Sequence, residues 1–155
     1  MQEIERKFLV KNNAFLLENS TQNKIAQGYL NSNPDRTVRV RINNEQGFLT
    51  IKGKSNESGT TRMELEYEIP VTEAVELLKI CENGTINKTR YKIPFAGHLF
   101  EVDVFHEDNE GLIIAEIELN HEEETFEKPN WLGNEITGDL RYYNSYISQN
   151  PFKNW

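Results

Sequence analysis

Cysteine is nearly absent. Cys81 is the only one in 155 residues, so no internal disulfide can form, and its apolar, helix-like surroundings read as those of a buried free thiol in a reducing compartment. Long apolar runs are also missing: none approaches the roughly 18 residues that a membrane-spanning helix needs. The N-terminus lacks the basic-then-apolar layout of a secretory leader. A cytoplasmic protein without membrane contact is therefore expected. Histidine is scarce, and His98, His106 and His121 fall in or beside turns without metal-ligand spacing, so they read as surface residues. There is no cysteine nucleophile and no Ser–His–Asp spacing. Positive charge is in deficit: the net charge of −8 argues against a general nucleic-acid-binding surface, although a basic interior lining would not show in that total. No repeat, low-complexity stretch or linker interrupts the chain, and its length suits a single domain over residues 1–155.

What the chain does have is ionised strand faces. Positions two apart on a strand share a face, so Glu3, Glu5 and Lys7 point one way while Ile4 and Phe8 point the other. Arg39 and Arg41 alternate with Val38, Val40 and Ile42, and Lys52 with Leu49 and Ile51. Arg62, Glu64, Glu66 and Glu68 alternate with Met63, Leu65, Tyr67 and Ile69. Lys88, Arg90 and Lys92, then Glu101 and Asp103, then Glu116 and Glu118, continue the pattern. A solvated sheet face laced with cross-strand ion pairs would be the ordinary reading, each pair contributing about 0.2–1 kcal/mol. Here the signs segregate by strand, with basic blocks around 39–54 and 88–92 and acidic blocks at 3–5, 64–68, 101–103 and 116–118. Like charges side by side repel, so an anion on the basic block and a divalent cation on the acidic one account better for the arrangement.

Alternation predicts eight strands, over 2–10, 24–31, 36–43, 47–54, 60–70, 87–93, 98–105 and 111–120, enough to close an antiparallel barrel. Helices are expected over 72–82, with Thr72 as N-cap, over 13–19, and from Asp139 to about Ser148, where Leu140, Tyr143 and Ile147 would share a face. These short helices need an apolar partner, which the uncharged strand faces provide. The expected fold is thus mainly β, a closed barrel with apolar side chains outside under helices and a charged, wet lumen.

Carboxylates alternating along neighbouring strands suit a hard divalent cation, Mg²⁺ or Mn²⁺. Glu3, Glu5, Glu116 and Glu118 are the first ligand candidates, with Glu64 and Glu66 next. Arg39, Arg41, Lys52, Lys88 and Arg90 read as a phosphate clamp, and a lumen so lined suits a linear polyphosphate better than a single phosphate.

Taken in order, Glu3-x-Glu5-x-Lys7, Thr37-Val38-Arg39-Val40-Arg41, Leu49-Thr50-Ile51-Lys52-Gly53, Arg62-x-Glu64-x-Glu66, Lys88-Thr89-Arg90-Tyr91, Val102-Asp103-Val104-Phe105, Ala115-Glu116-Ile117-Glu118-Leu119 and Trp131-Leu132-Gly133-Asn134-Glu135-Ile136-Thr137 resemble the CYTH domain family, also called triphosphate tunnel metalloenzymes. The resemblance runs from residue 3 to about 143. It implies an eight-stranded antiparallel tunnel barrel that binds triphosphates with a divalent metal. It also implies metal-side roles for Glu3, Glu5, Glu116 and Glu118, and triphosphate-binding roles for Arg39, Arg41, Lys52, Arg62, Lys88 and Arg90. Lys7 matches the motif lysine, which would hold phosphate or help orient water, and Tyr29 is its candidate partner in water activation, against a simple packing role. Glu135 reads as a capping or closing contact, and Trp131 and Trp155 as packing.

Family members include tripolyphosphatases, thiamine triphosphatases, class IV adenylyl cyclases and fungal RNA triphosphatases. The expected activity is metal-dependent hydrolysis of inorganic tripolyphosphate to pyrophosphate and phosphate, with weaker nucleoside triphosphatase activity beside it. The alternatives are a class IV adenylyl cyclase, a thiamine triphosphatase using Phe48, Phe95 or Phe105 as an aromatic slot, and a non-catalytic triphosphate-binding module. The expected partner is a small-molecule triphosphate, with no nucleic acid and no membrane; homodimerisation stays open.

Overall fold

Strand β1 (Gln2–Val10) carries the ring closure of the barrel. In the computed structural model, which describes residues 1–155, one edge of β1 pairs with β8 (Ile113–Glu118), and the other is shared between β5 (Thr61–Ile69) and β9 (Leu132–Glu135). Between them run β2 (Thr21–Asn31), β3 (Arg36–Asn43), β4 (Gln46–Gly53), β6 (Ile86–Phe95) and β7 (His98–Phe105), in the order β5-β4-β3-β2-β6-β7-β8-β1. Every pairing is antiparallel, and the β5–β1 contact closes the eight-stranded ring. Tight turns set the register. Ala96 and Gly97 both have positive φ (48° and 81°) in the two-residue loop between the paired Phe95 and His98, the backbone twist that suits a right-handed hairpin.

Alternation then sorts the side chains. Phe8, Ile93, Phe100, Val102, Ala115 and Ile117 face outward and are buried under Phe15, Leu119 and Trp131, which belong to connections on the outer wall, and Leu132 at the start of β9. Helix α1 (Val71–Lys79) packs against the outer side of β3 and β4. A Cβ at Gly28 would lie 3.1 Å from that of Cys81, so Cys81 serves packing where the chain leaves this helix. Pro70, not Thr72, occupies the N-cap, a position where a missing N–H costs no helical bond. The stretch near 13–19 forms a 3₁₀ turn, Asn13–Leu17, in which the Asn12 Oδ1 accepts from the Ala14 N–H.

Two features depart from expectation. β9 went unforeseen: four residues including Gly133 are too few to show alternation, yet they extend the sheet beside β1. The C-terminal helix is split. Leu140–Tyr142 is a 3₁₀ turn, Tyr143 is extended, and α2 spans Asn144–Gln149. Nor does α2 cover an outer face; its Ile147 packs against Ile86, Phe105, Leu112 and Ile114, and three of these lie on the lumen-facing parity of their strands. One end of the interior is therefore apolar and filled by α2, and the charged lumen occupies the rest. No helix is long and apolar enough to cross a membrane.

Candidate active site

The lumen is a cavity of about 220 Å³ that all eight barrel strands line, joined by the segment entering α2. Every residue proposed from sequence for substrate, metal or catalysis borders it, including Lys7, Tyr29 and Arg62. Sequence reading did not single out Glu101, Thr37, Tyr143, Asn144 and Ser145, which border it too, or Asp103, buried beside it. Asp103 and Glu101 carried a signal in the alternation, whereas the residues leading into α2 carried none.

Register explains how so many charges coexist. Glu3 lies opposite Arg62, Lys7 opposite Glu116, Lys52 opposite Glu64, and Arg90 opposite Asp103, so blocks that segregate along the chain partly neutralise across strands. Lys52 Nζ donates to Glu3 Oε1 at 2.9 Å and sits 3.3 Å from Glu64. Arg90 makes a bidentate contact with Asp103 at 2.7 and 2.8 Å, and Lys88 Nζ lies 2.8 Å from the same carboxylate. The pairing is incomplete. Glu5 faces Glu118 and Glu101 faces Glu116 directly, an arrangement that destabilises a sheet on its own.

The basic side has unused donors. Arg39 and Arg41 each bury an Nε–H with no acceptor, a costly state that an anion in the lumen would relieve. Burial and the neighbouring Arg39 and Arg90 charges lower the Arg41 guanidinium to about 10. Glu66 sits among these cations: it accepts from Thr50 Oγ1 at 2.7 Å and lies 3.4 and 3.3 Å from Arg39 and Arg41. The other five candidate ligand carboxylates gather elsewhere. Burial, then Glu116 and Glu3, push the Glu5 carboxyl up to about 8, and burial and Glu3 push Glu64 up to about 7. Burial raises Glu118 as well. Glu3 and Glu116 move the opposite way, held low against burial by Lys52 and Lys7 respectively. The acids stand in neighbouring pairs, Glu3 with Glu64 and Glu5 with Glu116, and no three converge on one point. Such a buried surplus of oxygen ligands fits a hard divalent cation, which would favour the ionised form of each pair.

Lys7 Nζ lies between Glu5 and Glu116, at 4.0 and 3.9 Å. Tyr29 shares the lumen, but no hydrogen bond joins it to Lys7, and burial raises its hydroxyl further above the ordinary range, which disfavours a tyrosinate base. The aromatic residues considered for an organic group do not line the cavity. Phe105 is buried with α2, Phe95 packs on the outer core, and Phe48 lies beneath the Arg41 guanidinium at 5.6 Å. Glu135 makes a closing contact, donated to by Arg6 Nε at 2.8 Å and by Thr137 Oγ1 at 2.6 Å. His98 is paired with Glu124 and His106 with Thr89, both outside the lumen.

Comparison with known proteins adds weight to this geometry. The inorganic triphosphatase of Acetivibrio thermocellus is 49% identical over 156 residues, covering 99% of this chain and 97% of that protein. That of Nitrosomonas europaea is 37% identical, covering 96% and 97%. A crystal structure of an inorganic triphosphatase superposes with a TM-score of 0.68 at 34% identity, covering 94% of this chain and 97% of that one. The model of the CYTH domain matches residues 1–146. With a barrel closed around opposed acidic and basic strand faces, and with that match across nearly its whole length, the chain belongs to the CYTH domain family.

Proposed function

We propose that this protein hydrolyses inorganic tripolyphosphate to pyrophosphate and phosphate in the barrel lumen, with Mg²⁺ or Mn²⁺ as its metal. The observation that carries the reading is the lining of the cavity: its only aromatic residues are Tyr29 and Tyr143, and no aliphatic side chain borders it. At about 220 Å³ it is also smaller than the roughly 300–1,000 Å³ of sites for drug-sized organic ligands. Such a space favours a polyanion without an organic group, and the two relatives that match over nearly their full length are inorganic triphosphatases.

In this reading Arg39, Arg41, Lys52, Arg62, Lys88 and Arg90 hold the phosphate oxygens, and the orphan Nε–H groups of Arg39 and Arg41 find acceptors there. Glu3, Glu5, Glu64, Glu116 and Glu118 would hold the metal, while Glu66 acts as the counter-ion that substrate displaces from Arg39 and Arg41. When bound, a divalent ion supplies charge neutralisation at the phosphoanhydride oxygens. Phosphoryl transfer asks little covalent work of the protein, so catalysis rests on alignment and on fixed charge already in place around the substrate. Lys7, between Glu5 and Glu116 on the lumen wall, is placed to hold the terminal phosphate or to orient the attacking water. Tyr29 is left to shape the wall and to donate a hydrogen bond as a neutral phenol.

Product analysis tests this directly, with tripolyphosphate, ATP and thiamine triphosphate offered in parallel with each metal. Equal phosphate and pyrophosphate from tripolyphosphate, with slow ATP hydrolysis, is the expected result. Cyclic AMP with stoichiometric pyrophosphate would make the protein a cyclase. Tight metal-independent tripolyphosphate binding without turnover would make it a binding module.

A further inference from the structure

Tyr143 enters the lumen, and the chemistry above gives it no task. Its backbone is extended (φ −72°, ψ 135°) between the 3₁₀ turn and α2, and this break in the helical run turns the side chain into the barrel, where it is 6% exposed. Lys7 Nζ lies 4.9 Å from the ring centroid and Arg62 Cζ 5.3 Å from it. The Tyr143 hydroxyl shares a 3.1 Å hydrogen bond with Ser55 Oγ in the connection between β4 and β5. The ring also borders a second, smaller recess beside Glu3, Thr60 and Thr137, so it stands between two polar spaces. The neighbouring Asn144 Oδ1 accepts from Gln27 at 3.1 Å and from Lys88 at 3.0 Å, and thereby the same short segment touches three of the lumen cations.

We propose that Tyr143 is a positioning residue: its ring face holds the Lys7 ammonium and the Arg62 guanidinium against the lumen, and Ser55 fixes the ring in turn. The proposal rests on the triphosphatase reading for the roles of Lys7 and Arg62. Lys7 needs such a device. Its carboxylate neighbours are 3.9 and 4.0 Å away, beyond hydrogen-bond distance, and a four-carbon ammonium stem is flexible without a fixed partner. A π face attracts a cation more strongly when the pair is buried, and Lys7 and Tyr143 are each only 6% exposed; the contact also leaves the ammonium hydrogens free to turn toward a phosphate.

The test combines NMR with kinetics on Tyr143→Phe, which keeps the ring, and Tyr143→Leu, which removes it. In protein carrying ¹³C-lysine, the Lys7 ε-methylene signal is identified by its loss in Lys7→Arg. Ring current should displace it upfield in wild type and in Tyr143→Phe, and the displacement should vanish in Tyr143→Leu. With tripolyphosphate and Mg²⁺, the leucine variant should lose about tenfold or more in kcat/KM, the scale of a displaced reacting group. The phenylalanine variant should recover to within roughly threefold of wild type. An undisplaced Lys7 signal in wild type overturns the proposal, as does a folded leucine variant with unchanged kcat/KM. A merely structural role would lower Tm without moving the lysine signal. Should Tyr143→Leu fail to fold, Tyr143→Met fills the volume without a ring and takes its place. If wild type does not cleave tripolyphosphate at all, the triphosphatase reading fails, and the lysine signal still decides whether the ring holds Lys7.

Discussion

Lys88 is a buried lysine under two opposed influences. Burial lowers its ammonium to about 8, against the pull of Asp103 at 2.8 Å. A lysine with a lowered folded pKa binds fewer protons native than unfolded between pH 8 and its ordinary value of 10.5, so its charging penalty is fully present below pH 8 and is relieved as pH rises across that window. The functional sign is the reverse, because a phosphate-binding cation is lost above pH 8. Hence kcat/KM for tripolyphosphate should fall from about pH 8 upward, while kcat should hold to higher pH because bound polyanion keeps Lys88 charged. Lys88→Arg, permanently charged, should flatten that basic limb. A wild-type profile of kcat/KM that is level from pH 7 to 9.5 would remove Lys88 from the clamp.

Elements were legible in the sequence to the extent that their periodicity was. Seven of the eight barrel strands show themselves through charge alternating with apolar residues, and each charged lumen residue proposed from sequence follows from that parity. Tyr29, on a strand β2 without such an ionised face, comes instead from the family resemblance. What alternation cannot carry is register. Glu66 was grouped with the metal-side acids because it shares a face with Glu64, but pairing sets it opposite Thr50, beside Arg39 and Arg41. A helix reaching about Ser148 is legible, but its place inside the barrel is not, for another reason: α2 has six residues, mostly polar, and Ile147 is its one member of an apolar cluster built from distant strands. Ile147 is fully buried, so Ile147→Ala should cost about 2–5 kcal/mol through lost burial and the cavity left behind. In a chain of this size that corresponds to a Tm lower by roughly 5–15 °C, readable by calorimetry. KM for tripolyphosphate should rise with it, since Asn144 would no longer be held against Lys88 and Gln27. A loss under about 1 kcal/mol would mean that α2 is docked too loosely to shape the lumen.

The whole molecule carries a repulsion that its ligands should relieve. Closure through β5 rests on three residue pairs, Gln2 with Met63, Glu3 with Arg62 and Ile4 with Thr61. The same barrel places Glu5 against Glu118 and Glu101 against Glu116, and leaves buried donors on Arg39 and Arg41 without acceptors. A ligand that binds only the folded state stabilises it by mass action, about 2.7 kcal/mol at a hundred times its Kd. For a protein of this length that is a rise in Tm of roughly 5–10 °C. Tripolyphosphate in the presence of EDTA should therefore raise Tm through the cations alone, and Mg²⁺ or Mn²⁺ without phosphate should raise it through the acids alone. Variants separate the two halves. Arg41→Ala should blunt the tripolyphosphate shift and keep the metal shift, whereas Glu5→Gln should do the opposite and retain a folded barrel, because the amide removes a buried acid from beside Glu116 and Glu3 without changing its shape. If Glu5→Gln leaves the metal shift intact, the ion is held elsewhere in the lumen. If neither ligand moves Tm in wild type, the segregated charges are a structural feature of the barrel and not its binding site.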